Sequence, residues 1–504
     1  MANWLGLLAK SWKEDRWIVV CLVGVLLLRI PSLFEPYWYG DEGIYLAIGA
    51  AIRKGLLLYR DIYDNKPPLL YLMAAAAGSV AWFRAILLVW MLITITFFWM
   101  LLNRLFGTNQ KLVKIASGLL ALLTSLPVIE GNIANSEIFM IGLTIIAFWL
   151  VYPLLAAVKK RQKRGDWMQL TGSGLLLGTA FLLKVPALFD FMALAGFMFL
   201  SIDKKNIKTT MVNMVMIGVG FVLPVAVSLV YFVLQGIGGD YIRITIAQNL
   251  GYVSSWKAGN ISGGSFRDKL GLLGRGGMLL VFYGGLFWNR KKISKAALLT
   301  FCWFGFALFA ALLSERPYAH YLIQLLPPLA ILIGLLTASQ KRLSKLVSLV
   351  LIICLVAAGV MIRFWYYPVV SYYANFIAYA SGAKSQADYL ANFSGQVRTT
   401  YAAGNYLAGE TEDGEKIFIW GDHPYLYALS KTLPAGRFTV AYHIIDFRGQ
   451  EETIAALRAQ PSRLIVVDKN EKRPFEELFP FLEENYQLEN EFDYLAVYRL
   501  RGEE

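Results

Sequence analysis

Apolar residues in this chain come in long blocks, not in the short periods of a soluble domain. Runs of roughly 17 to 24 apolar residues recur, each long enough as a helix to cross a hydrocarbon core of ~30 Å. They predict helices over about 17–33, 85–103, 112–129, 138–157, 168–185, 186–201, 211–234, 271–288, 296–313, 321–338 and 343–363. The expected fold is therefore an α-helical polytopic membrane protein with about eleven transmembrane helices. Two of these spans meet near Pro186 with no real loop between them. Leu69–Phe83 is also apolar, but at about 15 residues it falls near the re-entrant or interfacial range. It is read as a juxtamembrane or re-entrant helix.

After Phe364 the pattern changes. Short β-like runs at Lys416–Trp420, Phe438–His443, Arg463–Val467 and Tyr494–Arg499 alternate with helix-like stretches at Glu451–Ala459 and Pro474–Asn485. Such alternation predicts a small α/β domain with some parallel pairing. The expected division is a membrane domain over 1–363, a linker or juxtamembrane segment over 364–384, and an extracytoplasmic α/β domain over 385–504.

Charge adds orientation. The chain is 57% hydrophobic and 16% charged, against about a quarter charged in a soluble protein. Its net charge is +13, yet from Phe364 onward acidic residues outnumber basic ones 20 to 13. The basic excess sits in alternate connections: Asn103–Lys114, Lys159–Arg164, Asp203–Lys208, Arg290–Lys295 and Lys341–Lys345. The positive-inside rule makes these cytoplasmic, together with the N-terminus, and no nucleic-acid partner is needed to explain the basicity. Glu35–Trp82, Glu130–Glu137, Gln235–Leu270, Ser314–His320 and the tail then face outward from a plasma membrane. Counting Leu69–Phe83 as a span would invert every later loop. Cys21, Cys302 and Cys354 lie in apolar runs, which offers neither a disulfide framework nor a structural zinc site. The run 17–30 follows Lys10, Lys13 and Arg16 without a small-x-small cleavage site, and reads as a retained signal anchor.

The first outer loop, PYWYGDEGIYLAIGAAIRKGLLLYRDIYDNKPPLLY, carries the densest chemistry. Adjacent Asp41 and Glu42 precede Tyr45; Tyr59, Asp61, Tyr63 and Asp64 lead to Lys66, which stands before two prolines. A carboxylate there can take a proton from an acceptor hydroxyl or amine. A lysine at headgroup depth can meet a phosphate, where charge stabilisation matters more than a general acid. An ordinary solvated loop explains the same residue types. In the second outer loop Asn135 and Glu137 are candidates to line a substrate site, with a helix start at Ser136 as the plain alternative. Lys184 is an ionisable group at membrane depth, or a snorkelling one. The long loop with Arg243, Lys257 and Arg267 is Gly-rich; its arginines suit phosphate contacts, and its glycines equally suit plain flexibility.

The first loop resembles that of the GT-C glycosyltransferases of glycosyltransferase family 39, which includes protein O-mannosyltransferases and lipid A aminoarabinose transferases. The likeness lies in Asp41–Glu42 after the first span, Tyr45 shortly afterwards, and Lys66–Pro67–Pro68 before an apolar segment, with Tyr63 also matching. It implies a GT-C fold and transfer, with inversion, of a hexosyl or pentosyl unit. The donor would be a polyprenyl-phosphate sugar and the acceptor an extracytoplasmic glycan, lipid or protein. Asp41 (with Glu42) would be catalytic, and Lys66 would hold the carrier phosphate. The stretch SERPYAHYLIQLLPPLA resembles the family's late outer loop, where Arg316, His320 and Tyr321 would contact donor phosphate or sugar. Asn65 stands where some relatives carry an acid, so no metal is assigned and no cofactor is predicted. EKIFIWGDHPYLYALS resembles segments of bacterial members, and Trp420, His423 and Tyr425 are read there chiefly as core. The competing class is a transporter or lipid flippase. It predicts inverted repeats and midplane charges, whereas the acids here cluster in outer loops.

Overall fold

The computed structural model describes residues 16–157, 163–204, 206–249 and 266–502, with side chains of the last range from Gly271 onward. The chain separates into two compact units. One comprises Met1–Ile30, Ile86–Phe232 and Gln248–Val369, the other Pro31–Ala85, Val233–Ala247 and Val370–Glu504.

The first unit is helical. Every expected span overlaps a helix, and among the described residues seven are long and apolar enough to cross a membrane: Arg16–Phe34, Val80–Phe106, Ser136–Ala156, Ile207–Leu234, Gly271–Asn289, Ala319–Ala338 and Arg342–Ile362. Ala187–Leu200 and Lys295–Ala311 are shorter apolar helices. The break expected near Pro186 is a tight turn between Arg164–Phe181 and Ala187–Leu200, because proline cannot donate to the preceding turn. Small residues bring helices together where lipid supplies no hydrophobic drive. A Cβ on Gly174 would lie 2.0 Å from the Ile217 carbonyl oxygen, and one on Gly178 would lie 2.2 Å from that of Phe221. The Arg164–Phe181 and Ile207–Leu234 helices therefore cross on a glycine seam. Leu346, Val350, Ile353, Val356 and Val360 stay exposed along Arg342–Ile362, the face a lipid chain would cover. This is a multi-pass membrane protein.

The second unit is built on a five-stranded sheet: β1 (Lys416–Trp420), β2 (Leu433–Pro434), β3 (Leu464–Asp468), β4 (Tyr486–Phe492) and β5 (Leu495–Leu500), in the order β2-β1-β3-β5-β4. β1 pairs in parallel with β2 and β3, while β3-β5-β4 is antiparallel. The expected strand over Phe438–His443 is not one: Ala441–Asp446 is a short helix. Its entry is held not by a ladder but by the Ala441 N–H on the Gly421 carbonyl at 3.1 Å. Apolar alternation there reflects burial of Phe438 and Val440 rather than pairing. β4, too polar to stand out in the sequence, forms as the outer arm of a hairpin with β5.

Ile417, Ile419, Leu464, Val466, Leu495 and Val497 make the core of this unit with Ala403, Leu407 and Leu426, and Ala47 of the Gly40–Arg53 helix belongs to the same cluster. The first loop is thus part of the sheet domain's packing. Gly43 lets that helix sit against the turn after β1, where a Cβ would come 2.9 Å from Pro424 Cγ. Leu69–Ala77 is a nine-residue helix ended by Gly78 at φ 74°. At ~1.5 Å per residue it is about half a membrane's thickness and does not cross.

Candidate functional site

Asp41 and Glu42 occupy the first turn of Gly40–Arg53, where the helix dipole favours carboxylates. They have separate fates. Glu42 is buried, and both of its oxygens are held by the Arg84 guanidinium, at 3.0 Å from Nε and 2.5 Å from Nη2. Arg84 also meets Glu35 at 2.6 Å, and Glu35 accepts hydrogen bonds from the Tyr372 hydroxyl at 2.6 Å and the Trp38 indole at 2.8 Å. This ionic knot anchors the start of the helix. Asp41 points elsewhere, 27% exposed, and accepts a hydrogen bond from Tyr45 at 3.0 Å.

The following turn brings Lys66 to Asp41. Tyr59 takes a left-handed conformation (φ 73°), which a bulky residue adopts only when its surroundings impose it. Its N–H donates to the Ile62 carbonyl at 2.7 Å, its hydroxyl donates to the Lys66 carbonyl at 2.8 Å, and its ring packs on Tyr241. Burial pushes the Tyr59 phenol well above its ordinary range, so it is a neutral donor. Lys66 Nζ lies 4.0 Å from Asp41, 3.5 Å from Asp64 and 5.0 Å from the centre of the Tyr45 ring. Asp64 is fully buried and accepts the Asn65 N–H at 2.6 Å. His443, from the helix after β2, brings Nε2 to 3.7 Å from Asp64. Burial lowers the proton affinity of this imidazole, Lys66 lowers it further, and Asp64, Asp41 and Asp422 oppose, so it is neutral near pH 7. Tyr63 serves the fold here: its N–H donates to the Arg437 carbonyl at 2.8 Å, and its buried ring packs among Phe438, His443 and Phe447.

A second cluster forms in the membrane unit. His320 Nδ1 is 2.7 Å from Glu130, its Nε2 is 3.8 Å from Glu137, and Lys184 pairs with Glu137 while its ammonium lies 4.2 Å over the Tyr321 ring. Asn135 donates to Glu130 at 3.0 Å. Glu130, Glu137 and His320 are buried, and each carboxylate faces a basic side chain, Glu130 facing His320 and Glu137 facing Lys184. Arg316 is half-buried beside it in sequence, its N–H on the Ser314 hydroxyl. Arg243 is exposed and paired with Asp240 at 2.8 Å, one helical turn away. Arg267 starts the Phe266–Asn289 helix, and its side chain lies outside the described residues, as does Lys257.

The structure thus unites Asp41, Tyr45 and Lys66 in one cluster, and Glu137, His320 and Tyr321 in another. Sequence reasoning missed Arg84 and His443. The available signal for His443 was scarcity: the chain has three histidines, and each faces a carboxylate, His320 on Glu130, His423 on Asp468 and His443 on Asp64. Among the described residues no three His, Cys, Asp or Glu side chains converge as a metal site requires.

Neither a family model nor a curated protein matches the sequence. The apo crystal structure of ArnT from Cupriavidus metallidurans superposes with a TM-score of 0.50, covering 96% of this chain and 98% of that chain at 14% identity. The fold is that of the GT-C glycosyltransferases. AglB, the oligosaccharyltransferase of Archaeoglobus fulgidus solved with an inhibitory peptide and a dolichol-phosphate, gives 0.49 over 91% of this chain and 70% of its own at 11% identity. On this scaffold Asp41 and Lys66 share one partly exposed cluster.

Proposed function

We propose that the protein is a membrane glycosyltransferase that moves a hexosyl or pentosyl unit from a polyprenyl-phosphate carrier to an extracytoplasmic glycan, lipid or protein acceptor. The observation that carries the reading is the partly exposed Asp41 carboxylate, 4.0 Å from the Lys66 ammonium on a GT-C scaffold. Asp41 takes the proton of the acceptor hydroxyl as the acceptor oxygen bonds to the anomeric carbon. The bond from that carbon to the phosphate oxygen breaks, its electron pair leaving on the phosphate, and Lys66 stabilises the charge that develops. The base is assigned to Asp41 because both oxygens of Glu42 are occupied by Arg84. In the membrane unit Glu137, His320, Tyr321 and Arg316, with Lys184, are proposed polar contacts for donor phosphate or sugar; Arg243 and Arg267 are weaker candidates of the same kind. The basic connections support an orientation with the N-terminus in the cytoplasm and the proposed sheet domain over 385–504 outside a plasma membrane.

The test is sugar release from radiolabelled polyprenyl-phosphate sugars by purified protein in lipid, beside Asp41→Asn and Lys66→Ala. Turnover by the wild type, a loss of at least about a hundred-fold in Asp41→Asn, and a raised donor KM in Lys66→Ala are expected. Wild-type rates in both variants would refute the assignment.

A further inference from the structure

From Phe364 to Ala383 the chain carries no charged residue, and Trp365, Tyr366, Tyr367, Tyr372, Tyr373 and Tyr379 crowd the same stretch. Aromatic side chains with a polar tip favour the boundary between hydrocarbon and water. The stretch begins just after the Arg342–Ile362 span, and its centre is the 12-residue helix Val369–Ala380. Contacts fasten it at two places, each at the end of a span. Within the membrane unit, the Trp365 N–H donates to the Pro317 carbonyl at 2.8 Å and the Tyr367 N–H to the Val128 carbonyl at 3.2 Å. Pro317 stands just before the Ala319–Ala338 span, so the strap leading into the helix is held at a membrane boundary. Within the sheet-bearing unit, the Phe376 ring lies 5.5 Å from that of Phe34, the last residue of the Arg16–Phe34 span. One helical turn earlier, the Tyr372 hydroxyl donates to Glu35 at 2.6 Å.

The helix has two unlike faces. On one, Asn375 is buried and donates to the Tyr389 carbonyl at 3.0 Å, while Tyr379 stacks on the Tyr389 ring at 4.5 Å. Val370, Ala374 and Ile377, spaced i, i+4 and i+7, form the opposite stripe, with Val370 83% and Ile377 64% exposed. Water gains nothing from such a stripe, whereas acyl chains cover it at no cost in lost hydrogen bonds. We propose that Val369–Ala380 is an interfacial anchor, lying flat in the headgroup region of one leaflet with the Val370–Ala374–Ile377 stripe against lipid. Its lipid contact continues that of the preceding span, where Val350, Ile353, Val356 and Val360 are exposed. In the proposed orientation the leaflet is the outer one. Glu35, which accepts from Tyr372, also meets Arg84, and Arg84 holds Glu42, so the anchor is linked to the first turn of Gly40–Arg53. The lipid contact is independent of the glycosyl-transfer reading.

The experiment attaches a nitroxide to the full chain carrying Val370→Cys or Ile377→Cys, in vesicles of phosphatidylethanolamine and phosphatidylglycerol. Cys354→Ala removes the exposed natural thiol, and Cys21 and Cys302 are buried. Collisions with oxygen, which concentrates in hydrocarbon, are compared with those of a water-soluble nickel chelate. Val356→Cys on the preceding span is the lipid reference, and Glu451→Cys on the exposed side of its helix is the aqueous one. Oxygen is expected to dominate at both test positions, at a depth of about 5–10 Å below the phosphates, while the chelate dominates at Glu451→Cys. Chelate dominance at Val370→Cys and Ile377→Cys overturns the proposal. So does exclusion of both reagents, which marks a protein partner or a second copy over the stripe. A lipid-soluble photoactivated carbene applied to the unsubstituted protein gives a second reading. Modification of Val370 or Ile377 supports the anchor, and modification confined to the spanning helices overturns it.

Discussion

Replacing Arg84 with methionine tests the ionic knot beneath the proposed catalytic helix. The guanidinium is fully buried and faces two carboxylates, Glu42 at 2.5 Å and Glu35 at 2.6 Å. Removing it leaves two buried acids facing each other; among the described residues the Tyr372 phenol and the Trp38 indole still donate to Glu35. Stranding the partners of a buried ion pair costs about 3–5 kcal/mol. For a unit of this size, 1 kcal/mol moves the melting temperature by about 2–4 °C, so Arg84→Met is expected to melt roughly 6–20 °C lower. Thermal unfolding of the detergent- or nanodisc-embedded protein, followed by intrinsic fluorescence, reads this directly. The paired variant Arg84→Met/Glu42→Gln removes one stranded charge and recovers part of the loss, which shows the effect to be electrostatic and not a cavity. Activity is expected to fall along with stability, because Asp41 shares the helical turn that Glu42 anchors. A melting temperature within about 2 °C of wild type, or a double variant less stable than Arg84→Met, would refute the reasoning.

Two other outcomes follow from the geometry. His443 is buried with its proton affinity lowered, so the unfolded chain binds a proton there at a pH where the native protein does not. Stability is therefore expected to drop as pH falls through about 6.5, and the drop should shrink in His443→Gln; melting temperatures between pH 7.5 and 5 report it. At the glycine seam, Gly178→Val would press a side chain into the Phe221 carbonyl and is expected to cost about 1–3 kcal/mol by overpacking, visible as a lower melting temperature, whereas Gly172→Val, where a Cβ meets nothing within 4 Å, should be close to neutral.

The positions of the apolar helices, the switch to strand–helix alternation and the charge bias of the loops were legible in the sequence because each depends on local composition. The membrane sets a length, a strand sets a period, and neither needs a distant partner. The Asp41 and Lys66 motif was legible in the same way, as residue types at fixed spacing. Tertiary structure decided what those residues do to one another. Glu42 looks equivalent to Asp41 until Arg84, 42 residues on, takes both of its oxygens. Asp64 looks like one more loop acid until it is buried and His443 of the sheet domain approaches it. Phe438–His443 alternates like a strand, yet its backbone bonds are met by the turn after β1 and by a helix. Ala47 joins the sheet's core from the first loop because Gly43 allows the close approach. Ion pairing and burial depend on distances of a few ångströms between residues far apart in the chain, and those distances exist only once the chain has packed.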